Sequence, residues 1–235
     1  MRSSLTFSLL VLVLAVAAPR PAASEVTPPA QEIVDRIVAR IEDDIITLSE
    51  MHELAAYQQL VDGRVEPDDR LRSELIEQWV INNEATAARF PAPAASEVDR
   101  EVGQIESRSP NPQAYRERLA ALELSADAVR RIVTREIYLA RYLDYKFRPS
   151  VQISDEDIAK YYQEELAPAL SAKGQIPPAL GAVTEQIREV LVQRGIDDRA
   201  TSWLDQTKSR LKIEMEGASN PPASDASKPS PGGQP

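Results

Sequence analysis

The length, composition and charge of this chain limit the classes of protein to which it can belong. It has 235 residues, of which 43% are hydrophobic and 27% charged, which is typical of a globular protein of one or two domains. The formal net charge of −10 argues against nucleic acid and against anionic membrane surfaces as partners. Because the chain has no cysteine, no disulfide can hold the fold, and the apolar core has to do so.

The first 24 residues have the pattern of a secretory signal peptide. Arg2 supplies the basic start, an apolar run extends from Leu9 to Ala18, and small residues at 22–24 form the cleavage region. This run is too short to cross a membrane as a helix. Removal of residues 1–24 takes away two arginines and no acid, so the net charge moves from −10 to −12. The pattern predicts an exported protein whose mature chain is soluble and has no integral membrane segment.

One stretch of the mature chain, residues 35–50, encodes several elements at once. Apolar and polar residues alternate from Arg36 to Ile41, which is the period of a half-buried β-strand. The acidic residues 42–44 predict a tight turn, since aspartate tolerates left-handed backbone angles, and a short return strand follows. Thr47 and Glu50 have the spacing of a capping box, so a helix is expected to begin there.

Residues 211–215, near the other end of the chain, also alternate apolar and charged side chains. A two-stranded hairpin is not stable alone, so we expect this segment to be a third strand that closes on the hairpin. The predicted fold class is therefore mainly α with a small antiparallel β-sheet. In this fold the C-terminal strand ties together the ends of one helical domain, residues 31–216.

Between the strands the hydrophobic pattern predicts a series of amphipathic helices. They cover residues 47–61, 68–90, a third segment from Ser96 to the break at Pro110, 114–122, 126–147, 155–165, 183–193 and 197–210. Ser96, Ser125 and Ser154 are the predicted N-caps. Residues 167–182 are rich in small residues, proline and glycine and are predicted to be a linker. Residues 217–235 lack core-forming side chains and are predicted to be disordered.

Several short segments, taken in order, resemble a known family. They are DRIVA at 35–39, DDIITLSE at 43–50, LIE at 75–77, YLDYKFR at 142–148, VQISDEDIAKYY at 151–162, IREVL at 187–191, and Ala200, Trp203 and Leu204 before Ile213. This order resembles that of SurA-type periplasmic chaperones over most of residues 33–215. Members of that family usually carry parvulin-type prolyl isomerase domains between these two parts. The gap here, residues 167–182, has only 16 residues, whereas an independent domain needs roughly 50 or more, so the isomerase domains are expected to be missing.

The side chains best suited to binding a polypeptide are aromatic. Tyr138, Tyr142 and Tyr145 lie at helical positions i, i+4 and i+7, offset from the aliphatic face of the same helix. They either pack between helices or line a groove for extended apolar peptides, a role for which tyrosine is well suited. Met51 and Leu54 have the same two interpretations. These five residues are the candidate peptide-binding site.

The sequence contains no motif typical of catalysis or of metal binding. The only histidine, His52, precedes a glutamate, but the zinc signature would need a second histidine at position 56, which is alanine. The acidic clusters at 42–44 and 155–157 lack the spacing of a calcium loop. No glycine-rich phosphate loop is present. We therefore predict a protein that is not an enzyme and that needs no metal and no cofactor.

The resemblance implies a holdase-type chaperone that binds unfolded client polypeptides, in particular outer-membrane β-barrel precursors. Two other classes of function stay open. One is a prolyl isomerase, which the short gap at 167–182 argues against. The other is a structural or adaptor subunit of an envelope complex, whose groove is permanently filled by one partner.

Overall fold

The computed structural model describes residues 35–216. The predicted signal peptide at 1–24, the first residues of the predicted domain at 31–34, and the tail predicted to be disordered at 217–235 lie outside the described residues. Within the described range the protein is mainly helical and carries one small antiparallel sheet, as the sequence predicts.

Three strands make the sheet: β1 (Ile37–Ile41), β2 (Asp44–Thr47) and β3 (Ile213–Met215). Their order is β2-β1-β3, and both neighbours of β1 run antiparallel to it. The prediction that the C-terminal strand pairs with the N-terminal hairpin is confirmed. An irregularity lies in β1 where it pairs with β2, between Ile37 and Ala39.

The turn between β1 and β2 differs from the prediction. The residue with a left-handed backbone is Glu42, with φ of 52°, and not one of the aspartates. Two hydrogen bonds across the sheet accompany this conformation. The Glu42 backbone N–H donates to the Lys212 carbonyl over 3.0 Å, and the Lys212 N–H donates to the Glu42 carboxylate over 2.8 Å. The turn therefore depends on the segment that leads into β3, which is 170 positions away.

The first five helices follow the predicted series. They are α1 (Leu48–Val61), α2 (Asp68–Ala87), α3 (Ala95–Ser107), α4 (Pro112–Ala121) and α5 (Ala126–Phe147). The capping box of Thr47 and Glu50 is present, and Ser125 caps α5 as predicted. Ser96, in contrast, lies inside α3, which begins after Ala94 without a side-chain cap. That predicted cap is wrong.

The C-terminal part departs further from the prediction. After a 3₁₀ turn (Arg148–Ser150), a continuous helical segment contains α6 (Asp155–Tyr161), a π-helical turn (Tyr162–Leu166) and α7 (Ala167–Ala172). The predicted linker at 167–182 is thus only partly irregular. The two helices predicted at 183–193 and 197–210 are one helix, α8 (Leu180–Lys208). Gly195, which falls in the predicted gap between those two helices, lies inside α8, where an added Cβ would stand 2.7 Å from a Val151 methyl group.

The core of the described residues includes three apolar clusters. The first joins α1, α3, α4 and the start of α5. The second packs the sheet against α1 and α2. The third joins α2, the second half of α5 and α8, and its members from α5 are Leu139 and Tyr142. Helices α1, α2 and α5 each contribute to two of these clusters and therefore connect them.

Candidate functional site

The three tyrosines of the predicted site share a helix but not an environment. Tyr142 is 4% exposed and belongs to the third core cluster. Tyr138 is half-buried at the edge of that cluster. Tyr145 is 66% exposed, so most of its aromatic side chain is in contact with solvent. Tyr145 alone among these three is freely accessible from solvent, and the placement of Tyr142 in a groove wall does not agree with its burial.

Phe90 brings the three tyrosines together. The sequence pattern predicts only that a helix ends at this residue and gives it no role in the site. Its ring centroid lies 5.8 Å from that of Tyr138, 5.5 Å from that of Tyr142 and 5.4 Å from that of Tyr145. These separations fall in the range where aromatic rings attract one another. Phe90 therefore links the buried end of the aromatic cluster to its exposed end.

The position of Phe90 follows from the way α2 ends. Arg89 takes a left-handed conformation with φ of 53°. The Phe90 N–H donates to the Ala85 carbonyl over 2.9 Å, and the Arg89 N–H donates to the Thr86 carbonyl over 2.9 Å. This is the hydrogen-bond pattern of a Schellman motif, which usually has glycine at the left-handed position. Since arginine stands there, the sequence carried no clear signal for the motif.

An open cleft of about 690 Å³ lies beside this aromatic cluster, between α5 and α8. We call it the Phe90–Tyr145 cleft. Its lining residues are Phe90, Ala140, Arg141, Leu143, Asp144, Tyr145, Gln193, Ile196 and Asp197. Apolar and aromatic groups thus alternate with charged groups of both signs on one open surface.

The charged groups of the cleft are mostly paired. Arg141 donates to the Glu97 carboxylate over 3.2 Å, and its guanidinium lies 6.0 Å from the centre of the Phe90 ring. Asp144 accepts from Arg148 over 2.7 Å. Among the hydrogen bonds of residues 35–216, the Asp197 carboxylate accepts only from the neutral Gln193 amide, over 3.2 Å. The wall formed by Asp197 therefore keeps an unneutralised negative charge.

Met51 and Leu54, the other two candidate binding residues, are not accessible. They are 3% and 4% exposed and belong to the cluster that packs the sheet against α1 and α2. Because they face the sheet from the inner side of α1, they stabilise the fold and line no open groove. Their assignment to a peptide-binding surface is corrected accordingly.

A separate group of hydrogen-bonded polar side chains lies between α1, α2 and α5. The Tyr57 hydroxyl donates to Glu136 over 2.7 Å, and Glu74 accepts from Gln58 and Gln78 over 2.9 Å and 3.1 Å. Glu136 is exposed as a whole residue, but its carboxyl end is packed toward Tyr57, and this desolvation raises the pKa of the carboxyl. Desolvation likewise raises the pKa of Glu74.

Raised carboxyl pKa values in a cleft can mark a general acid, but Glu136 and Glu74 both accept hydrogen bonds from neighbouring side chains. We interpret this group as structural. Across residues 35–216, no set of three or more histidine, cysteine, aspartate or glutamate side chains is placed to hold a metal ion. None of the helices in the same range has both the length and the apolar character needed to cross a membrane.

Comparison with known proteins does not place the chain in a family. No protein family model matches the sequence. No curated protein sequence matches it either.

Proposed function

We propose that this protein is a periplasmic holdase-type chaperone, akin to the SurA-type family that its segment order resembles. In this proposal unfolded client polypeptides, in particular outer-membrane β-barrel precursors, bind in the Phe90–Tyr145 cleft. The proposal includes neither catalysis nor a cofactor. The periplasmic location in this proposal rests on the signal-peptide pattern of residues 1–24 together with the family resemblance.

The observation that carries the proposal is the open aromatic end of the cleft. Tyr145 is 66% exposed, and its ring lies 5.4 Å from that of Phe90, which is half-buried, so an aromatic surface faces solvent. Leu143, which is half-buried, lines the same cleft, and Ile196 also lines it but is only 1% exposed. Unfolded barrel strands present alternating aromatic and aliphatic side chains, and such side chains would cover this surface.

The size and polarity of the cleft favour weak, adaptable binding over recognition of one sequence. A volume of about 690 Å³ is within the range of small-molecule pockets and accommodates only a few side chains. The mixture of charges around Phe90 offers no fixed pattern for a single ligand. A holdase needs this kind of site, since its clients share a chemical character and not a sequence.

The proposal is tested by suppression of aggregation. An unfolded outer-membrane barrel protein is diluted into buffer with wild-type protein or with Tyr145→Ser, and light scattering is recorded. Since the ring is exposed, its removal leaves the fold intact, whereas loss of a binding anchor costs on the order of 2 kcal/mol of affinity. We expect clearly weaker suppression by Tyr145→Ser.

The matched control is Val65→Ser, which removes an exposed apolar side chain from the connection between α1 and α2. This variant should suppress aggregation as well as wild type. Equal suppression by wild type, Tyr145→Ser and Val65→Ser would rule out the cleft as the client site. Isolation of the protein only in a fixed complex, with the cleft already covered, would favour the adaptor alternative.

A further inference from the structure

The connection between α7 and α8 presents an apolar side chain to solvent. We call residues 173–179 the Ile176 tip. Ile176 is 94% exposed, which is the highest value among the exposed large hydrophobic residues in the range 35–216. Pro177 and Pro178 follow it directly. A single exposed isoleucine is common on protein surfaces, so the question is whether the tip is held in place.

Hydrogen bonds fix the tip at both ends. On the α7 side, Gly174 is left-handed with φ of 72°. Its N–H donates to the Ser171 carbonyl over 2.9 Å, and the Gln175 N–H donates to the Leu170 carbonyl over 3.0 Å, which makes a Schellman motif. On the α8 side, the Tyr162 hydroxyl from the π-helical turn donates to the Pro178 carbonyl over 2.6 Å.

Two consecutive prolines restrict the backbone of the tip further, since each fixes its own φ angle. Such a segment loses little conformational entropy when it binds, which is why proline-rich peptides are common ligands of aromatic grooves. The backbone on both sides of Ile176 is therefore pre-organised, and the exposed side chain is held in a defined position.

The tip also differs in charge from the rest of the molecule. Residues 166–184 contain one lysine, Lys173, and no acidic residue, although the chain as a whole carries a net charge of −10. The tip is thus an apolar and weakly cationic segment on an acidic protein. Its charge is complementary to the remainder of the molecule.

We propose that the Ile176 tip of one molecule inserts into the Phe90–Tyr145 cleft of a second copy. The cleft supplies the aromatic surface that an isoleucine–proline–proline segment fits. Asp197 lies at the cleft wall and forms no ion pair with any residue in the range 35–216, so it provides a counter-charge for Lys173. Both halves of the contact exist on one chain.

The contact has to be intermolecular. The tip precedes the first residue of α8, while the cleft residues of α8 are Gln193, Ile196 and Asp197. At a rise of 1.5 Å per residue they lie about 20–25 Å along the helix from Leu180. A tip that is fixed at both ends cannot fold back over that distance. Tip and cleft are different surfaces, so the contact is head-to-tail and extends into chains or closes into rings.

The experiment measures self-association of the purified protein without any client. Sedimentation equilibrium is recorded from about 10 µM to about 1 mM protein, the range in which small interfaces associate. We expect the weight-average mass of wild type to rise with concentration. Ile176→Asp, which removes the tip contact, and Tyr145→Ser, which weakens the cleft, should each stay monomeric over the whole range.

A mixture of the two variants gives the decisive result. Ile176→Asp keeps an intact cleft and Tyr145→Ser keeps an intact tip, so one productive contact remains between them. Their equimolar mixture should form dimers and nothing larger. Circular dichroism checks that both variants are folded, which is expected because both side chains are exposed.

A wild type that stays monomeric overturns the proposal. So does association that either variant retains, or a mixture that stays monomeric. The inference goes beyond the proposed function and does not depend on it, because no client is present. If the protein self-associates but does not suppress aggregation, only the proposed function is overturned. If it suppresses aggregation but stays monomeric, only the head-to-tail contact is overturned.

Discussion

The ring of Phe90 meets the ring of Tyr142 almost edge-on, with 5.5 Å between centroids and an angle of 72° between planes. An edge-to-face pair of this kind contributes about 0.5–1.5 kcal/mol beyond the burial of its surface. Phe90 is held from the other side by the Tyr138 hydroxyl, which donates to the Phe90 carbonyl over 3.3 Å. The aromatic cluster thus has a structural end at Tyr142 and an open end at Tyr145.

This division predicts opposite behaviour for two tyrosines three positions apart. Tyr142→Ala leaves a cavity in the core and should lower the free energy of unfolding by about 3–5 kcal/mol. Tyr145→Ala should lower it by less than about 1 kcal/mol, since the side chain is mostly in water. Urea denaturation followed by circular dichroism measures both. Similar losses in the two variants would contradict the assignment.

Gly195 predicts an unusual response to alanine. Alanine inside a helix is normally more stable than glycine by about 0.5–1 kcal/mol. At position 195, however, the new Cβ would lie 2.7 Å and 3.2 Å from the two methyl groups of Val151. Valine is stiff at χ1, so this overpacking should outweigh the helix gain, and Gly195→Ala should destabilise the protein by about 1–2 kcal/mol.

Two controls accompany that variant. Gly103 lies inside α3 with no atom within 4 Å of an added Cβ, so Gly103→Ala should stabilise the protein by about 0.5–1 kcal/mol. In a Val151→Ala background the contact is gone, and Gly195→Ala should no longer destabilise the protein. A thermal melt of each variant suffices, and a loss that persists in the Val151→Ala background would exclude the proposed clash.

The environment of Glu136 predicts that Glu136→Gln increases the stability of the protein in a pH-dependent way. Desolvation raises the pKa of its carboxyl in the folded state, so folding favours the protonated form. Its contribution to stability is therefore complete below the unfolded pKa and is lost as the pH rises through the folded pKa. Glu136→Gln keeps an acceptor for the Tyr57 hydroxyl and removes the charge. At pH 7 it should be more stable than wild type, by less than about 1 kcal/mol, and the difference should vanish at acid pH.

Glu165 provides a control of opposite sign. It pairs with Arg194 through two hydrogen bonds of 2.8 Å and 2.7 Å, and this lowers the pKa of the Glu165 carboxyl. Its stabilising effect is present above the unfolded pKa and is lost as the pH falls. Glu165→Gln should therefore be less stable than wild type at pH 7 and equal to it at acid pH. Parallel pH profiles for the two variants would refute this interpretation.

The closing strand gives a fourth prediction. Ile213 is half-buried against the cluster under the sheet, so Ile213→Asp brings a charge to an apolar contact and should cost more than about 2 kcal/mol of stability. Met215, two positions along the same strand, is 57% exposed. Met215→Asp should therefore cost much less. Urea midpoints compare the two, and tolerance of Ile213→Asp would mean that β3 contributes little.

The features that the sequence predicted correctly depend on nearby residues or on a short repeat. The capping box at Thr47, the Ser125 cap and the alternation in β1 are all of this kind. The closure by β3 was also predictable, because a lone hairpin needs a third strand.

The features that it missed depend on distant neighbours. The sequence predicts a gap between two helices around Gly195, because nothing local reveals that Val151 packs on this glycine within one continuous helix. The predicted helix ends at Phe90 because prolines follow at positions 91 and 93, and nothing local reveals that the helix ends at Ala87 with a left-handed Arg89. The periodicity placed Tyr138, Tyr142 and Tyr145 on one side of a helix, but their different burial depends on α2 and α8, which pack on that side.

The pairing of β1 with β3 also has a consequence for the order of folding. Arg40 and Glu216 form an ion pair across this edge of the sheet although 176 positions separate them. We expect β3 to pair with β1 only after the local helices and the β1–β2 hairpin have formed. Closing so long a loop costs conformational entropy, and the few contacts of β3 compensate little of that cost. During synthesis the edge of β1 that faces β3 stays unpaired until residues 213–215 emerge, and such an edge can pair with other chains. Pulse-labelling hydrogen exchange should therefore find the amides of β3 protected later than those of α5.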